Sequence, residues 1–121
     1  MMALRYEETA PIARQAAESA IASEDSTSAA RALIRVGLWE PERQWAERFC
    51  VGGLRDQRGE VRRAALIALG HLARRHHALQ LDLVLPAVQR LLRDHPDLAG
   101  SADDMLDDIR MYIPGAENSH F

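Results

Sequence analysis

The stretch LRDQRGEVRRAALIALGHLA, Leu54 to Ala73, decides the fold. At about 100° per residue, Val61, Ala65, Ala68, Leu69 and Leu72 fall in one apolar stripe. Arg63, Gly70, Arg74 and His77 fall opposite it, and Ala64 and Ile67 lie on a third flank. A helix that is apolar on more than one flank is sandwiched between neighbours. Ala64, Ala65, Ala68 and Gly70 are small enough for other helices to approach closely. The spacing predicts a helix over 59–76 and a helical array around it.

The rest of the sequence extends that array. The predicted helices run from about Pro11 to Ala22, Thr27 to Val36 and Pro41 to Val51, then, beyond 59–76, from Leu81 to Asp94 and Ser101 to Ile113. Gly37 is expected to cap the second helix and Gly52–Gly53 to end or bend the third. Pro86, early in the fifth, either starts its regular part or kinks it. Short links imply antiparallel neighbours, hence three helix pairs. LRD occurs at 54–56 and again at 92–94, an offset close to that of helical-pair repeats. The expected class is all-α: a short α-solenoid of about six helices in one domain, with loose tails at 1–9 and 115–121.

Composition agrees. Aromatics are 5% of the 121 residues while Ala and Leu abound, which favours helix over sheet. Net charge is −3, no warrant for nucleic acid binding. The charge is unevenly placed: 54–93 holds eight arginines against three acids, and 94–121 holds seven acids against Arg110. Cys50 is the sole cysteine, so no internal disulfide can form, which fits a reducing compartment. No apolar run approaches the roughly 20 residues of a membrane span. Arg5, Glu7 and Glu8 argue against a secretory signal. A soluble cytoplasmic protein is expected.

Four aspartates stand in SADDMLDDIRMY, 101–112: Asp103, Asp104, Asp107 and Asp108. Ala102, Met105, Leu106, Ile109, Tyr112 and Ile113 take the other half of the wheel, so the acids should be exposed. Ser101 and Asp104 have the spacing of a capping box. Three readings stand: a capped, solvated helix; a docking surface for a basic partner, acting mostly on association rate; and a divalent-metal site. The last lacks the glycine and spacing of a calcium loop. Zinc at HLARRHH, 71–77, is disfavoured because His71 and His76 are about 140° apart on a helix, which leaves His71 and His76 for core-edge or interhelical hydrogen bonds. Trp39, Trp45 and Phe49 suit packing, and an exposed Trp39 would be an interface anchor. No catalytic motif surrounds Cys50. No enzyme activity, cofactor or metal is expected.

Asp56, Val61-Arg62, Ala65 and Ala68-Leu69-Gly70 resemble the HEAT repeat, in its PBS-lyase-like bacterial form. The resemblance implies pairs of antiparallel helices stacked into a curved solenoid, with Asp56 and Arg62 tying adjacent units together. The second copy keeps Asp94 but has Gly100 where Arg would stand. Over most of its length, through Trp45, Glu47, Cys50, VRRAALIALGHLARRH, LDLVLPAVQRLL and DDMLDDI, the sequence resembles small bacterial HEAT-like proteins found beside polymorphic or contact-dependent toxins. That implies an immunity protein holding a cognate toxin domain inactive. The alternatives are a HEAT-like adaptor with another protein partner, and a lyase-like or chromophore-handling protein using Cys50 or the histidines.

Overall fold

The computed structural model describes residues 10–121; the tail expected at 1–9 lies outside them. Among the described residues there are six α-helices and no strand: α1 (Arg14–Ala22), α2 (Ser26–Trp39), α3 (Arg43–Leu54), α4 (Gly59–His76), α5 (Leu81–Asp94) and α6 (Ala99–Tyr112), with a 3-10 turn at Pro96–Leu98. The all-helical expectation is met, and α4 and α5 have the predicted bounds.

α4 is the centre. It packs against α2, α3 and α6, while α1 lies on α2 and α5 meets α3. Its stripe Val61, Ala65, Ala68, Leu69 and Leu72 is fully buried, as is Leu66. Burial of a leucine-sized side chain contributes about 1.5–3 kcal/mol, and this helix supplies more of the buried core than any other. No helix is long and apolar enough to cross a membrane.

The other helices differ from expectation at their ends: α1 starts at Arg14 rather than Pro11, and three of the differences have a visible cause. α2 runs past Gly37 to Trp39, because Gly37 is a contact rather than a cap: a Cβ there would lie 2.8 Å from the Cα and carbonyl oxygen of Ala68. Its start is set by Asp25, whose Oδ1 accepts from the N–H groups of Thr27 and Ser28. α3 continues through Gly52 and Gly53 to Leu54, and Gly53 sits against Leu33 and Ala65. α6 starts two residues before Ser101, directly from the 3-10 turn, so Ser101 is inside the helix and caps nothing.

Pro86 lies inside α5, which runs unbroken from Leu81 to Asp94. After Gly115, where a loose tail was expected, Ala116 is buried and Phe121 packs on the core. The Arg110 Nε–H donates to the Ser119 carbonyl.

Candidate functional site

The α2, α4 and α6 helices form a row, and their outward side is the candidate site. Ile67, from the third flank of the wheel, stands at its middle and is 39% exposed. On one side of Ile67 a cleft of about 300 Å³ separates α4 from α2, with Arg31, Ile34 and Arg63 along it. On the other, a cleft of about 250 Å³ separates α4 from α6, with Arg74, Asp104 and Asp108 along it. An apolar residue is therefore flanked by Arg31, Arg63 and Glu60 toward α2 and by Asp104, Asp108 and Arg74 toward α6. The wheel had isolated Ile67 from the main stripe, but only the placement of α2 and α6 leaves it uncovered.

The acidic helix divides its charges. Asp103, Asp104 and Asp107 are exposed. Asp108 turns inward and is the correction to four exposed acids. Its Oδ2 lies 3.7 Å from Arg74 Nε and fills the space a Cβ on Gly70 would take. Burial raises the Asp108 pKa; Arg74 opposes this, and Asp104 and Asp107 add to it. Asp107 sits 3.9 Å from Arg110. Asp103 and Asp104 fall outside the first turn, since the helix starts early, so they gain less from its dipole than the expected start would give. Trp39, at the end of α2, is 44% exposed.

Asp56 and Arg62 are joined differently from the ladder that the resemblance implies. Arg62 Nη1 donates to the main-chain carbonyl of Asp56 at 2.9 Å. The Asp56 carboxylate is held by Arg58, through its backbone N–H, Nε and Nη2. These bonds, with Arg58 foremost, hold the Asp56 pKa below the usual carboxylate range. Arg58 then reaches across to the carbonyls of Ser23 and Ile21 at the end of α1. The link between helices thus runs through Arg58. Sequence spacing offers no signal for this, because three arginines stand within a few residues of the turn.

Other cross-links close the remaining corners. Glu40 accepts from Arg14 and from the Glu42 N–H, while Arg75 donates to the carbonyls of Gly37 and Glu40. Arg14 also lies over the Trp45 ring, which stacks on Phe49 with centroids 5.0 Å apart. His77 makes an interhelical hydrogen bond as well, its Nδ1 lying 2.9 Å from the Tyr112 carbonyl, while His76 and His71 are partly buried and His76 is set against the Glu40 backbone. Cys50 is fully buried, and burial followed by the nearby Glu47 charge pushes its thiol pKa up. A thiol so placed is a poor nucleophile. Among the described residues no group of three or more His, Cys, Asp or Glu could hold a metal ion.

His71 carries a pH consequence. Its Nδ1 is 2.5 Å from Arg74 Nη2, and burial, then the charges of Arg74 and Arg75, push its pKa down to about 4. Between pH 4 and the ordinary histidine value of about 6.5 the unfolded chain binds a proton that the folded protein refuses. Stability from this residue is therefore full above pH 6.5 and falls as pH drops toward 4. Asp108 runs the opposite way, since its raised pKa favours proton uptake by the folded form. His71→Asn keeps an acceptor near Nδ1 and removes the titration. It should flatten the pH dependence over this window by on the order of 1 kcal/mol after solvent screening, measured by urea unfolding at pH 5 and pH 7.5.

No protein-family model, curated protein or solved structure matches the chain.

Proposed function

We propose that this chain is a protein-binding module of HEAT-like helix pairs, and that its partner is a cognate bacterial toxin domain which it holds inactive in the cytoplasm. The exposed Ile67, centred on the α2–α4–α6 row and bordered by charged side chains of both signs, carries the reading. Interfaces draw most of their energy from a few apolar anchors that neighbouring contacts shield from water. Surrounding charges set orientation and association rate. Asp103, Asp104 and Asp107 extend the acidic border for a basic toxin surface, and Trp39 is a second anchor.

Two of the pairs, α1–α2 and α3–α4, are supported by their mutual packing, with α2, α4 and α6 in one row. The third, α5–α6, is joined through the 3-10 turn, while α5 itself packs on α3. The recurrence of LRD at the ends of α3 and α5 also supports the pairing. The resemblance to HEAT-like proteins beside toxin genes supports the immunity role. We read the chain as a binder rather than an enzyme because its thiol is sealed in the core.

Co-expression with the toxin encoded beside its gene tests the role. The wild-type chain should restore growth. Ile67→Glu should weaken toxin binding by about tenfold or more while leaving the thermal melt unchanged, since Ile67 is exposed. Cells that die equally with and without the chain rule out immunity. Full protection by Ile67→Glu with undiminished affinity rules out this face.

A further inference from the structure

Away from that face, a cleft of about 280 Å³ lies between the α3–α4 turn and the end of α5. It shares no residue with the two clefts beside Ile67. Arg55, Arg62, Arg90 and Asp94 line it, with the buried side chains of Leu54 and Leu91 as an apolar wall.

The charges here do not cancel. Asp56 also borders the cleft, but its carboxylate is committed to Arg58. Among the described residues, none of Arg55, Arg62, Arg90 or Asp94 enters an ion pair within 4 Å. Three guanidiniums thus face one uncommitted carboxylate, a surplus of two positive charges. Arg62 is tethered by Nη1 to the Asp56 carbonyl, and its buried Nε has no hydrogen-bond partner among the described residues. That Nε is closed off from solvent, so a ligand in the cleft meets Arg62 elsewhere on its guanidinium.

We infer that this cleft binds a phosphate monoester. Such a group carries about −1.5 to −2 at pH 7, which matches the surplus; a single carboxylate or sulfate ester brings half as much. Guanidinium forks fit phosphate oxygens in bidentate geometry. The ester's organic part rests on Leu54 and Leu91. Binding here requires nothing of the proposed toxin-binding role.

The test is an NMR titration of the full ¹⁵N-labelled chain with phenyl phosphate at pH 7.5, with sodium chloride adjusted to constant ionic strength. The arginine Nε–H signal of Arg62 and the amides of 54–62 and 90–95 should shift saturably, with Kd on the order of 1 mM or below. Arg62→Lys keeps the charge but loses the planar guanidinium fork, and should weaken binding about tenfold. Arg90→Gln should weaken it roughly threefold with the melt unchanged, because Arg90 is exposed and forms no ion pair. This second variant keeps the test decisive if Arg62→Lys fails to fold. Phenyl sulfate, of the same shape with one charge, should bind more weakly. Equal binding of the two esters, wild-type affinity in Arg90→Gln, or shifts no larger than the salt blank would overturn the inference.

Discussion

Gly37→Ala is expected to destabilise the protein by about 2–3 kcal/mol, lowering its melting temperature by roughly 10 °C. The sign is opposite to that for an isolated helix, where alanine in place of glycine stabilises by up to about 1 kcal/mol. Gly37 lies inside α2, but its Cα faces the backbone of α4. An added Cβ would come within 2.8 Å of the Ala68 Cα and carbonyl oxygen and 3.0 Å of the Ala68 Cβ. None of those atoms can swing aside, so the two helices must separate and loosen the core that α2 shares with α4. Gly52→Ala is the control. It too is a helical glycine, but nothing lies within 4 Å of its Cβ position. It should stabilise by about 0.5–1 kcal/mol. Thermal melts of both variants check the pair. Equal shifts in the same direction would mean that helix propensity alone governs both sites.

Glu47→Ala should cost about 3 kcal/mol. Glu47 is 1% exposed, and its Oε2 accepts from Arg43 Nη1 at 2.6 Å and from the Gln80 backbone N–H at 2.7 Å. Gln80 is the residue that opens α5, so one buried carboxylate ties α3 to the next corner and satisfies a donor at a helix start. Alanine leaves that N–H and the arginine without an acceptor and opens a hole near Cys50. Glu47→Gln keeps an oxygen for the Gln80 N–H and loses only the charge, so it should cost about 1 kcal/mol. Urea unfolding gives both values. Hydrogen exchange supplies the local readout: in Glu47→Ala the amides of 80–84 should exchange faster than those of α4. Uniform acceleration everywhere would mean that Glu47 supports general stability and not this corner.

These two residues show why parts of the structure were legible and others were not. Glu47 falls on the buried side of α3 by simple periodicity, yet the period cannot show that a charge there is compensated. Its partner Gln80 is 33 positions away. Gly37 reads as a helix stop because glycine commonly follows a last turn. It is instead chosen by Ala68, in another helix. Arg58 rather than Arg62 grips the Asp56 carboxylate because the turn aims it at the free carbonyls ending α1, and neither spacing nor composition ranks the two arginines. The acidic helix was legible in outline. Asp103, Asp104 and Asp107 are exposed as the wheel has them, whereas Asp108 is drawn under by the lack of a side chain on Gly70.

By itself the sequence determined the helical class, the bounds of α4 and α5, and the stripe from Val61 to Leu72. Those follow from local forces: backbone hydrogen bonds four residues apart, and apolar side chains recurring with the turn of the helix. Tertiary structure decided that Ile67 stays open while Gly70 is covered, which glycines are contacts, and which arginines are spent in pairs and which line a cleft. Each of these depends on atoms brought together from distant parts of the sequence, and packing at van der Waals distance distinguishes positions that a helical period treats as equal.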